Sequence, residues 1–165
     1  QPESLSLEGY LSSENEEEID QAIRLLLFGQ THSSDYLSLL VYLPSDDNLN
    51  TALDNLTRQI TDKTHLPCTW NYGPAYLHST GQLYKGDSGQ GRFLGLFHEN
   101  TGEEVVIPPA SDWPPTAPSF NRLFRAQALG DLAALQAKKR KTLFLNLKGN
   151  LVKNIFTLNE LVRNL

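Results

Sequence analysis

The sequence predicts an α/β fold, a three-layer α/β/α domain built on a mainly parallel sheet. Three observations carry this expectation. Residues 36–43, YLSLLVYL, are apolar almost without interruption and stop at Pro44, the pattern of a strand covered on both faces. Segments with apolar residues at helical spacing lie on either side of that run. Helical and strand-like segments then alternate along the chain with short connections, as crossover units of a parallel sheet require.

Taken in order, Ser13 opens SENE, a capping-box pattern with Glu16. Ile19, Ala22, Ile23, Leu26 and Leu27 follow at helical spacing, so a first helix runs to about Gly29. Glu16, Glu17 and Glu18 fall in its first turns, where the helix dipole favours them and no ligand is needed to explain them. After the strand at 36–43, Ser45 and two aspartates lead into Leu49, Leu53, Leu56 and Ile60, a second helix ending near Lys63. PCTWN at 67–71, RFLGLFH from Arg92 and EEVVI from Glu103 are strand candidates. Prolines from Pro108 to Pro118 surround Trp113 and mark a surface loop. From Ser119, the residues Phe120, Leu123, Phe124, Gln127, Ala128, Leu132 and Leu135 describe a long helix, and TLFLNL at Thr142 a further strand. Thr157 and Glu160 form a capping box for a last helix carrying Leu158, Leu161, Val162 and Leu165.

A chain of 165 residues suits one domain, residues 1–165, with 149–165 as an additional helical tail. Fourteen Lys and Arg against nineteen Asp and Glu give a charge of −5, which argues against a phosphate backbone as the main ligand and so against nucleic acid. The basic cluster KKRK, Lys138 to Lys141, sits where a helix ends, and the helix dipole accounts for it. Cys68 is the single cysteine, so neither an internal disulfide nor a thiolate metal cage is expected, and a reducing, cytoplasmic setting is. No apolar run approaches the roughly 20 residues that span a bilayer, and the acidic start carries no signal-peptide pattern. Gln1 at the first position predicts that the natural chain is longer.

Residues 74–91, PAYLHSTGQLYKGDSGQG, concentrate the chain's polar and glycine-rich equipment after the strand at 67–71. That placement puts His78 to Lys85 at or just beyond a strand's carboxyl end, where open α/β sheets bind ligands. With Pro74 in a first helical turn, His78, Gln82 and Lys85 share one helix face and converge on one polar ligand. Gly81 removes a side chain between them. A neutral histidine both takes and gives a proton near physiological pH, which makes His78 the general acid/base candidate. The plainer reading is a capping or core histidine with glycines that only make turns. His32, His65 and His98 read as turn or surface residues, without neighbours at metal-ligand spacing. Ser79, His78 and Asp87 contain the residue types of a hydrolytic triad but lack a nucleophile elbow.

The stretch NYGPAYLHSTGQLYKG resembles the motif GYGPRYLHSTGQLHKGGP of the glucose-6-phosphate isomerase region in bifunctional transaldolase/glucose-6-phosphate isomerase proteins. Tyr72, Gly73, Pro74, Tyr76, Leu77, His78, Ser79, Thr80, Gly81, Gln82, Leu83, Lys85 and Gly86 match it. DYLSLLVYLP and RAQALGDLAAL resemble flanking segments of the same family, so the likeness covers roughly residues 5–147. The resemblance implies a sugar-isomerase (SIS)-like half-domain, the C-terminal part of an enzyme interconverting glucose 6-phosphate and fructose 6-phosphate. It implies that His78 opens the sugar ring, that Ser79, Thr80, Gln82 and Lys85 orient it or contact the sugar, and that no cofactor or metal is needed. The partners it implies are a sugar phosphate and upstream isomerase and transaldolase domains of the same chain. The family's proton-shuttling glutamate, its serine and threonine phosphate loop and its lysine segment are missing from these residues, so the isolated chain is expected to be inactive.

Two departures oppose that reading. Ala75 stands where the family has arginine, and Asp87 with Ser88 replaces Gly-Pro, placing negative charge beside an anion site. They favour the alternative of a non-catalytic module that binds a sugar phosphate or packs against a neighbouring domain. Tyr84 in place of a histidine is a milder change, keeping a ring with a polar tip.

Overall fold

The computed structural model describes residues 6–7, 16–98 and 119–165. Five parallel strands form one sheet in the order β1-β5-β4-β2-β3: β1 Ser6–Leu7, β2 Tyr36–Tyr42, β3 Cys68–Tyr72, β4 Gly91–Phe97 and β5 Lys141–Asn146. Among the described residues five α-helices accompany them: α1 Glu16–Phe28, α2 Asp47–Thr64, α3 Thr80–Gly86, α4 Phe120–Ala137 and α5 Leu151–Asn164. The fold is the three-layer α/β/α arrangement that the alternating pattern predicts.

Alternation along the strands explains the two layers. On one face Leu37, Leu39 and Val41 of β2, Leu94 and Leu96 of β4, and Leu143 and Leu145 of β5 meet α1, α2 and α5. On the other, Leu40 and Tyr42, Phe93 and Phe97, and Phe144 meet Tyr76, Tyr84 and α4 through Ala128 and Leu135. The buried residues of the first core are all aliphatic. The second is aromatic and threaded with polar groups, among them the buried Ser38, Asp131 and Asn146.

Helix boundaries follow local chemistry. Asp46 caps α2 by accepting from the amides of Asn48 and Leu49, and Ser119 caps α4 by accepting from that of Arg122. The last helix departs from the expected start at Thr157. It begins six residues earlier, where Asn150 accepts from the Lys153 amide, and Thr157 instead donates back to the Lys153 carbonyl within it. Ile155, Leu158 and Val162 bury themselves in the aliphatic core, so residues 151–164 belong to the domain rather than trailing from it. Ser13, the strand candidate from Glu103 and the proline-rich loop lie outside the described residues.

The basic cluster also departs from expectation. Lys138 ends α4, but Arg140 and Lys141 turn back to the sheet. Arg140 pairs with Asp87 at 2.7 Å, and Lys141 donates to the Gln30 carbonyl and lies 3.8 Å from Asp35. These cations hold the amino-terminal edge of the sheet together with Arg92. The Arg92 side chain, wholly buried, reaches Asp35 and the carbonyls of Leu26, Gly29 and Gln30 at the end of α1.

Candidate functional site

Strand β2 sends its chain through α2 toward β3, while its neighbour β4 sends its chain through α4 toward β5, on the opposite side of the sheet. The carboxyl ends of β2 and β4 are therefore the topological switch point, where a sheet of this kind opens a crevice. The motif is the crossover from β3 back over β2 to β4, and it starts beside that point. Gly73 allows the start: a Cβ there would lie 2.4 Å from the Tyr42 ring at the end of β2.

A short 3₁₀ turn, Ala75–His78, follows, and Ser79 breaks the helical path before α3 begins. The single helix expected to align His78, Gln82 and Lys85 does not form. Instead the turn folds onto α3 at Gly81, whose missing Cβ would meet the Tyr76 carbonyl at 3.0 Å. The motif is thereby divided into an inner and an outer set.

Tyr76 and Tyr84 are the inner anchors, both buried in the aromatic core. Tyr84 Oη accepts from Ser38 Oγ at 2.9 Å and from Asn71 Nδ2 at 3.3 Å, and its ring packs 5.0 Å from that of Phe93. Tyr76 donates to Asp131 Oδ2 of α4 and meets Tyr42 Oη at 2.9 Å. Burial, reinforced by the Asp131 carboxylate, pushes the Tyr76 phenol far above its ordinary pKa, so it stays a donor. Lys85 Nζ lies 2.8 Å from Asp131 Oδ1, which commits this lysine to α4.

His78, Ser79, Thr80 and Gln82 form the outer set, and all four are exposed. His78 is exposed rather than a core histidine, and its ring makes no hydrogen bond among the described residues. Ser79 Oγ donates weakly to the Tyr76 carbonyl at 3.3 Å. The structure thus leaves four of the five sequence-predicted site residues exposed and ties the half-buried Lys85 to Asp131.

Asp87 is not a loose negative charge. It lies beyond the end of α3, at the start of β4, paired with Arg140 and accepting from Tyr36 Oη at 2.7 Å and from the amides of Gly89 and Gly91. Neutralised there, it neither completes a triad with His78 nor opposes an anion at the carboxyl edge. His98, expected at the surface, is half-buried at the end of β4. Its Nδ1 lies 2.6 Å from the Leu147 carbonyl, which only accepts, so Nδ1 is the donor in that contact.

Sequence reasoning missed Asp131 and the Tyr42 to Tyr76 link. The signal for Asp131 was present: it falls three residues after Ala128 and four before Leu135, a carboxylate on the buried stripe of α4. Surface grooves of about 590 Å³ and about 420 Å³ lie instead in the layer of α1, α2 and α5, lined by residues such as Asn48 and Phe156 or Glu17 and Thr157. Among the described residues no group of three or more His, Cys, Asp or Glu side chains comes together to hold a metal, and no helix is long and apolar enough to cross a membrane.

No family model and no curated protein matches the chain. In architecture it is similar to the crystal structure of the hypothetical protein TT0462 from Thermus thermophilus, with a TM-score of 0.65 over 87% of this chain at 14% identity. The chain spans 37% of the length of that protein, and at this identity the likeness establishes a shared α/β fold and nothing about activity.

Proposed function

We propose that this domain is the C-terminal part of an aldose-ketose isomerase acting on glucose 6-phosphate and fructose 6-phosphate, and that His78 performs the ring opening. The observation that supports the reading is the division of the motif. Tyr76, Tyr84 and Lys85 are spent on anchoring, while His78, Ser79, Thr80 and Gln82 are exposed and His78 has no hydrogen-bond partner among the described residues. An exposed imidazole donates a proton to the ring oxygen and accepts one from the anomeric hydroxyl in turn, without metal or cofactor. Ser79, Thr80 and Gln82 supply short-range contacts to sugar hydroxyls. Lys85 reaches a phosphate only by exchanging Asp131 for it.

The open surface around His78 fits a composite site, closed by upstream isomerase and transaldolase domains of a longer cytoplasmic chain. The 165 residues alone therefore give no turnover in a coupled fructose 6-phosphate assay. In the full-length natural protein, His78→Ala lowers the rate by about 10²–10⁴-fold with folding intact, the usual contribution of such a group. An unchanged rate refutes the catalytic reading. It would leave the module that binds a sugar phosphate or packs against another domain, which the engagement of Lys85 with Asp131 and the alanine at position 75 favour.

A further inference from the structure

The break at Ser79 leaves His78 without a continuous helix to orient it, since the 3₁₀ turn that carries it and α3 that follows are separate pieces. What joins them is a side chain from elsewhere. Asp131, 4% exposed in the middle of α4, accepts from Tyr76 on one oxygen and faces the Lys85 ammonium at 2.8 Å on the other. Tyr76 lies two residues before His78 and Lys85 seven residues after it. One buried carboxylate thus holds both sides of the break, and Tyr42 at the switch point extends the bracing to β2 through its 2.9 Å contact with Tyr76.

We infer that Asp131 is a positioning residue for His78, bracing the 3₁₀ turn and α3 against α4 so that the imidazole stands at one place on the carboxyl edge. The inference rests on the isomerase reading for its catalytic consequence but not for its structural one. In a buried site the Tyr76 bond to a carboxylate is charge-assisted and directional, and the Lys85 ammonium adds an ion pair to the other oxygen. Replacing the carboxylate by an amide keeps the shape, weakens the Tyr76 bond and removes the attraction for Lys85.

Asp131→Asn is the first test, with Lys85→Met removing the same ion pair from its more exposed side, so that a folding failure of the former leaves the question answerable. In the 165-residue chain, hydrogen exchange at the amides of residues 77–82 is expected to accelerate by about tenfold or more, with β2 and β4 unchanged. In the full-length protein, kcat is expected to fall about 10–100-fold with KM nearly constant, the effect of misplacing a catalytic group. Added to His78→Ala, Asp131→Asn is expected to cost nothing further in rate. Unchanged exchange in both variants overturns the inference, as does a full additional loss of rate in the His78→Ala background. If His78→Ala leaves the rate intact while exchange accelerates, the isomerase reading falls and the brace stands.

Discussion

Arg92→Met tests the arrangement at the amino-terminal edge most sharply, because it keeps roughly the side-chain volume and removes the charge. The guanidinium is fully buried, with Nε and Nη2 at 3.2 Å and 3.0 Å from Asp35 Oδ2 and three carbonyls at 2.6 Å. Breaking a buried pair by removing one partner costs about 3–5 kcal/mol, chiefly from the charge left behind. Among the described residues Asp35 is left with the His32 amide at 3.2 Å and Lys141 at 3.8 Å, neither of which replaces the buried guanidinium. The carbonyls of Gly29 and Gln30 sit near the surface and rehydrate, so about 4 kcal/mol is the expected total. In a domain of this size that is a fall in Tm of roughly 8–16 °C. Urea unfolding followed by far-UV circular dichroism at pH 7 measures it directly. The pH dependence gives a second check. Burial alone would raise the Asp35 carboxyl, but hydrogen bonds from Arg92 and the His32 amide, with the charges of Arg92 and Lys141, hold it below its ordinary 3.8. Its contribution in the unsubstituted protein is therefore present above that value and lost as pH falls through the lowered one. Without Arg92 the carboxyl shifts upward, so the gap between the two proteins narrows in acid. A difference below about 1 kcal/mol at pH 7, the scale of a surface ion pair, would refute the reasoning.

Gly73→Ala is expected to destabilise by about 1–3 kcal/mol through overlap with the Tyr42 ring, and Tyr42→Leu is expected to relieve most of that in the double variant; additive losses in denaturant unfolding would contradict it. Burial pushes the Cys68 thiol up to about 12, so iodoacetamide at pH 8 is expected to alkylate the folded chain at least about 100-fold more slowly than the chain in urea, and equal rates measured by mass spectrometry would show the thiol to be open.

The strands and long helices were legible because burial writes period 2 or 3.6 directly into the sequence: YLSLLVYL became β2, and Leu49 to Ile60 became the inner face of α2. Ends were less legible where two chemically sound caps competed. Asn150 prevailed over Thr157 because Ile155 gains burial only if the helix starts early. The motif was found by its residues, yet its shape was not. Tyr76 and Asp131 are 55 positions apart, and a pairing at that range leaves no local period to read. The same holds for Arg140 with Asp87, 53 positions apart, which made a loop acid look like a free charge.

The ion pairs of Arg92 with Asp35, Arg140 with Asp87 and Lys141 with Asp35 all gather at the amino-terminal edge, opposite the edge that carries His78. As a scaffold, the domain is therefore asymmetric in what it tolerates. Randomising the exposed positions 78, 79, 80 and 82 leaves the locked edge untouched and offers a library of new surface chemistries on an intact frame. The same freedom applied around 87–92 would sever the cross-links that fix where β2, β4 and β5 begin.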